Sequence, residues 1–185
     1  MADDVRNNSK KTFYESSGNK QQLRCWAKEL RKNVNNDSLS KKLVDKLKET
    51  DEYKQASHIM LFYPLTYEVN LLEIIDDHTK EFYLPKIVGD DLVCCHFRKD
   101  DELSFSCFKT KEPVSEPSDI IPDLVIVPAL VVDKNNYRLG YGGGYYDRFL
   151  AKFNCKTIVC IAREFLIDTI YPEKFDVPID KVIFA

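Results

Sequence analysis

Residues 123–150 read DLVIVPALVVDKNNYRLGYGGGYYDRFL. An apolar run, interrupted once at Pro128, leads into glycines at 140, 142, 143 and 144. Helical spacing then resumes through Tyr146, Phe149, Leu150 and Phe153. The order is buried strand, glycine loop, helix. In open α/β sheets, ligands bind beyond the carboxyl ends of the strands, where such loops lie. The chain has only 6 glycines, so this one loop holds most of them. Glycine permits positive φ and brings backbone close to a ligand because no Cβ intervenes. Successive N–H groups ahead of a helix N-terminus form an anion site.

Two readings of the loop stand side by side. A tight strand-to-helix turn needs one or two glycines. A phosphate cradle accounts for four, bracketed by Arg138 and Asp147. The common phosphate motifs are absent: no G-x-x-x-x-G-K-[ST] occurs, and a G-x-G-x-x-G begun at Gly140 or Gly142 meets Tyr145 or Asp147 instead of glycine. Asp147 itself is either a helix-start carboxylate facing the macrodipole or a Mg²⁺ ligand, with Asp176 in EKFDVPID able to supply a second carboxylate.

Outward from this stretch, the sequence completes an α/β pattern. KQQLRCWAKELRKNV (20–34) sets Leu23, Trp26 or Ala27, Leu30 and Val34 on one helical face, with Lys20, Arg24, Lys28, Arg31 and Lys32 opposite. SLSKKLVDKLKET (38–50) opens on Ser38, a residue suited to an N-cap, and continues as a second amphipathic helix. SHIMLFYPL (57–65) reads as a strand, EVNLLEIIDDHTK (68–80) as a helix, and EFYLPKIV (81–88) and DLVCCHF (91–97) as strands. Prolines at 113, 117 and 122 mark a surface loop. KTIVCIA (156–162) and KVIF (181–184) add strands. The expected fold is α/β: a single three-layer domain over residues 19–185, its mainly parallel sheet covered by helices on both faces. Residues 1–18, polar and without apolar period, are expected to form a mobile extension.

Composition excludes several function classes. With 185 residues and 44% hydrophobic content, one ordinary core can form. A formal net charge of -3 offers no overall basic field for nucleic acid. No apolar run is long enough to span a bilayer, and MADDVRNNSK lacks the apolar core of a signal peptide. The expectation is a soluble, cytoplasmic monomer. The 6 cysteines contain no Cys-x-x-Cys, and the 3 histidines lack metal-ligand spacing, so the thiols read as reduced structural residues.

The 123–150 stretch closely resembles the signature of the 5-formyltetrahydrofolate cyclo-ligase family, also called 5,10-methenyltetrahydrofolate synthetases. Further family motifs follow in order: a Lys-x-x-x-Arg helix (Lys20, Arg24), an acidic residue in YPLTYEVN (Glu68), the strand YLPKI, and a late D-x-x-x-D segment (Asp176, Asp180). The resemblance implies conversion of 5-formyltetrahydrofolate to 5,10-methenyltetrahydrofolate with ATP and Mg²⁺, through phosphorylation of the formyl oxygen and ring closure by N10. It implies catalytic roles for Lys20, Arg24 and Arg138. It implies an ATP site at Lys20, Gln21, Gln22, Leu23 and Arg24 and at Arg138, Leu139, Gly140, Tyr141, Gly142, Gly143, Gly144, Tyr145 and Tyr146. The folate would meet Tyr63, Glu68, Tyr141, Gly142, Gly143, Gly144 and Tyr145, and Asp147 and Asp176 would hold the metal.

On the residues alone, plainer readings remain open. Lys20 and Arg24 fit a solvated helix face, Glu68 a helix start, and Tyr63 and Tyr145 core aromatics. Some family members carry a basic residue inside the glycine run, where this chain has Tyr141 and Gly143; Arg148 or Lys134 would have to replace it. The rival functions are a sugar-phosphate isomerase or deaminase on the same architecture, working without ATP, and a non-catalytic nucleotide or folate binder.

Overall fold

A computed structural model describes residues 19–106 and 110–185. The expected extension, residues 1–18, and Cys107 lie outside the described residues. Three helices come first: α1 (Lys20–Arg31), α2 (Asn36–Glu49) and α3 (Asp51–Gln55). The strands β1 (His58–Met60), β2 (Glu81–Val88), β3 (Asp91–His96), β4 (Leu103–Phe105) and β5 (Lys111–Pro113) follow. Next are β6 (Leu124–Ile126), β7 (Val131–Asp133), β8 (Arg138–Leu139) and helix α4 (Tyr145–Lys152). The chain closes through β9 (Lys156–Ile161), β10 (Leu166–Ile167) and β11 (Lys181–Phe184).

The central sheet runs β11-β9-β6-β1-β2-β3. All neighbours pair in parallel except β2 and β3, an antiparallel hairpin turning at Gly89, whose φ is 61°. The middle of a parallel sheet is buried on both faces, which is why its strands are continuous apolar runs. Ile59, Met60, Leu124, Val125, Ile126 and Ile158 are all sealed from solvent. Burying each such side chain is worth about 1.5–3 kcal/mol. Helix α2 packs its Leu43–Val44–Leu47 face on β9 and β11, and α4 packs against β3.

A second, smaller sheet, β10-β7-β8, positions the glycine loop. Pro128 ends the strand expected across residues 123–133, so the run becomes β6 in one sheet and β7 in another. Asp133, 1% exposed, then shapes the turn to β8: one carboxylate oxygen accepts from the N–H groups of Asn135 (2.9 Å) and Tyr137 (3.0 Å), the other from Ile170 N–H (3.1 Å). The loop therefore follows a hairpin rather than a central strand.

Other expectations need correction. EVNLLEII forms only a short 3-10 helix, Leu72–Asp76, because Glu68 is committed to the turn with Leu65. SHIMLFYPL is extended only through Met60, as the chain leaves the sheet towards that turn. The cap of α2 is Asn35, whose side chain accepts from Ser38 N–H, and not Ser38 itself. Arg31, expected on the solvated face of α1, is 8% exposed. Cys94, Cys95, Cys155 and Cys160 are unpaired, and burial pushes the Cys94 and Cys160 thiols up to about 12, so both stay protonated as core residues.

Candidate active site

Helix α1 supplies the basic side. Asn19 caps it by accepting from Gln21 N–H at 2.8 Å. Lys20, Arg24 and Arg31 follow at i, i+4 and i+11, one stripe along the helix, so Lys20 and Arg31 stand about 16 Å apart along its axis. Lys20 Nζ meets Asp176 Oδ2 at 2.5 Å and Glu173 at 3.4 Å. Arg24 Nε donates to the Gly140 carbonyl at 2.9 Å, tying α1 to the glycine loop. Gln21 and Gln22 are exposed beside them, whereas Leu23 is core.

Three of the loop glycines are required by shape. Gly142 has φ 110° and leaves room for the Arg24 guanidinium, 3.4 Å from where a Cβ would sit. Gly144 caps α4 at φ 68°, and a Cβ at Gly143 would stand 2.7 Å from the Tyr145 ring. Gly140 has open space and no positive φ. The turn thus uses more glycine than the one or two expected of it, and the same bare backbone leads into the N-terminus of α4.

Behind the loop, Arg138 is buried on β8. Its Nη1 donates to Asp147 Oδ1 at 3.0 Å, its guanidinium lies 5.9 Å from the Tyr146 ring centre, and its Nε has no partner among the described residues. The Tyr146 hydroxyl is likewise buried with no partner among the described residues, and burial raises its pKa. Asp147 also accepts from Val177 N–H at 3.3 Å, which brings the segment carrying Asp176 against α4. The two predicted metal carboxylates therefore occupy neighbouring strips of backbone. Among the described residues, the bonds of Asp147 go to its Oδ1 and those of Asp176 to its Oδ2. Arg148 donates to the Gly143 carbonyl (3.0 Å) and stacks on Tyr145, while Lys134 pairs with Asp168. Of the two substitute cations, Arg148 touches the loop.

Glu68 begins the second half of the site. It is 7% exposed and sits after Tyr67, a non-glycine residue held at φ 68°. Glu68 Oε2 accepts from Leu65 N–H at 2.8 Å, closing the turn; Oε1 accepts from the Tyr141 hydroxyl at 2.7 Å. Tyr141 is 41% exposed as a residue, but its hydroxyl meets Glu68; desolvation there first, and the Glu68 charge second, raise the phenol well above its ordinary pKa, so it remains a donor. Arg31 Nη1 stands 3.6 Å from Glu68 Oε1. A pocket opens here between Arg31, Glu68, Phe62, Tyr67 and Phe165.

Of the sequence-predicted aromatics, Tyr141 joins the two halves and Tyr145 packs under the loop. Tyr63 stands apart from the Glu68 pocket: Lys111 Nζ donates to its hydroxyl at 3.3 Å and covers its ring. Arg31 beside Glu68 and Lys111 on Tyr63 are not among the site residues picked out from the sequence. Arg31 had a signal, since it continues the Lys20–Arg24 stripe; Lys111 had none.

A curated cyclo-ligase from Haemophilus influenzae is 25% identical over 145 residues, covering 71% of this chain and 78% of that one. A relative from Schizosaccharomyces pombe bearing the cyclo-ligase name is 28% identical over 128 residues, so the chain spans 63% of its length. The solution structure of Aquifex aeolicus 5,10-methenyltetrahydrofolate synthetase superposes with a TM-score of 0.77 at 27% identity, covering 89% of each chain. The sequence model of one family matches residues 16–185, from just before α1 to the last residue of the chain, and so takes in every element of the site: this protein belongs to the 5-formyltetrahydrofolate cyclo-ligase family.

Proposed function

We propose that this protein converts 5-formyltetrahydrofolate to 5,10-methenyltetrahydrofolate, using MgATP and releasing ADP and phosphate. The observation that carries the reading is the 2.7 Å hydrogen bond from Tyr141 to Glu68. It joins a phosphate-type loop directly to a buried carboxylate suited to a 2-amino-4-oxo ring, so two ligands held there would touch.

The chemistry requires that contact. A formyl oxygen is a poor leaving group until it is phosphorylated. The oxygen attacks the γ-phosphorus, the bond to ADP breaks, and N5 and the formyl carbon become an iminium phosphate. N10 attacks that carbon and loses its proton, and departure of phosphate leaves the methenyl cation. Positioning and charge stabilisation are the protein's share of the work. The loop N–H groups and α4 would hold phosphate oxygens. Arg138 would exchange part of its Asp147 pairing for phosphate, as a planar fork suits it to do. Lys20 would exchange Asp176 in the same way, and Arg24 would keep the loop in register through Gly140.

Asp147 and Asp176 fit a hard divalent cation: both are carboxylates, both lie beside the cationic cluster, and among the described residues each engages its partners through one oxygen. Bound there, Mg²⁺ would neutralise charge on the transferring phosphates. Glu68 would accept from the ring's amino and N3–H groups while keeping its turn bond to Leu65, since a carboxylate offers about four acceptor positions.

The test is an absorbance assay in the near ultraviolet, where the methenyl product absorbs. The expected result is a rise that needs 5-formyltetrahydrofolate, ATP and Mg²⁺ together, with one ADP released per product. No rise from folded protein, or a rise without ATP, would contradict the proposal.

A further inference from the structure

Arg31 has a role that pairing with Glu68 does not exhaust. Its side chain is 9% exposed, and burying a cation is costly unless its donors are used. They are used incompletely. Nη2 donates to the Ala129 carbonyl, and the guanidinium lies 5.2 Å from the Phe165 ring centre. Nη1 stands 3.6 Å from Glu68, too far for a good hydrogen bond, and Nε is buried with no partner among the described residues. The carbonyl and the aromatic face fix the plane of the fork, and the fork borders the same pocket as the Glu68 carboxylate. The wall of that pocket therefore presents two acceptor oxygens and, beside them, a rigid cationic donor. A 2-amino-4-oxo ring presents the complement in one row: amino donor, N3–H donor, oxo acceptor.

We infer that Arg31 is a substrate-binding residue that donates to the 4-oxo oxygen of the pterin ring, next to the amino and N3–H groups accepted by Glu68. The inference rests on the folate reading of the site and adds a specificity determinant to it. A ring carrying a 4-amino group would point a donor at the guanidinium, and because its N3 bears no hydrogen it would also turn an acceptor towards Glu68, so the share of the 4-oxo preference that belongs to Arg31 is the share lost in Arg31→Met.

The test compares 5-formyltetrahydrofolate with its 4-amino-4-deoxy counterpart, by titration calorimetry, on wild type, Arg31→Met and Arg31→Lys. Wild type should bind the 4-oxo form about tenfold or more tightly, the usual worth of a hydrogen bond from a charged donor. In Arg31→Met that preference should shrink by about tenfold, with the KM for ATP unchanged. Arg31→Lys keeps the charge without the fork and should retain an intermediate preference. The same 4-oxo preference in Arg31→Met as in wild type would overturn the inference. So would a wild type that binds both ligands equally, a result that stands even if Arg31→Met fails to fold. A wild type that forms methenyl product without the expected preference loses only the Arg31 inference. One that binds neither ligand and forms no product loses the folate reading as well.

Discussion

The two ends of helix α1 meet different kinds of chemistry. At its N-terminus, Lys20 and Arg24 face an open glycine loop, and their bonds go to Asp176 and to the Gly140 carbonyl. At its C-terminus, Arg31 is buried beside a buried carboxylate. The first end is suited to exchange, because a phosphate oxygen can take the place of the Asp176 carboxylate on Lys20 and keep the charge pairing. The second is built for selection, since a desolvated, oriented donor and acceptor penalise any ligand that fails to match them. The difference predicts that one family of substitutions will damage nucleotide use and another folate use.

The largest effect should come from Arg138→Met. It removes the buried fork behind the loop, and kcat/KM for ATP should fall by about 10²–10³, or 3–4 kcal/mol, as when one preorganised donor is lost. Folate affinity, measured by calorimetry, should hardly move. Asp147→Asn comes next: the Mg²⁺ concentration giving half-maximal rate should rise by about tenfold or more, with folate KM unchanged. An unaltered Mg²⁺ dependence would remove Asp147 from the metal site.

Within the loop, the contrast between two glycines is sharper than either variant alone. Gly142→Ala forces a Cβ onto φ 110°, a strain of about 1–3 kcal/mol, and should raise KM for ATP several-fold. Gly140→Ala meets open space and should behave as wild type. Equal damage from both would mean that the loop changes shape when nucleotide binds. The smallest effect on catalysis belongs to Asp180→Ala. Asp180 Oδ2 accepts from the N–H and hydroxyl of Thr157, and Asp180 N–H returns a bond to that hydroxyl, each at 2.8 Å, bracing the starts of β9 and β11. Its loss should lower stability by about 1–3 kcal/mol in denaturant titrations while leaving the rate per folded molecule intact.

Much of this was legible in the chain. EFYLPKIV and KTIVCI are strands over the residues their apolar patterns mark, and the glycines announce the loop. Glu68 was legible as a candidate folate ligand only through the family motif, because nothing local distinguishes it from a helix-start carboxylate. Other features depend on tertiary contacts that periodicity does not carry. EVNLLEII has a helical period, but the turn that buries Glu68 takes its first residues. Arg31 looks solvated because arginine in an amphipathic helix usually is; here the Ala129 carbonyl and the Phe165 ring receive it. The split of residues 123–133 between two sheets follows from Pro128, visible as an interruption but not as a change of sheet.

The measurement that bears most directly on the division of labour is a two-by-two binding comparison. Glu68→Gln and Arg138→Met would each be titrated with 5-formyltetrahydrofolate and with a non-hydrolysable ATP analogue. The account predicts a crossed result: Glu68→Gln weakens folate by about tenfold or more and leaves the nucleotide within about twofold, and Arg138→Met does the reverse. Equal losses of both ligands in both variants would contradict it, because the two ends of α1 would then serve one undivided site.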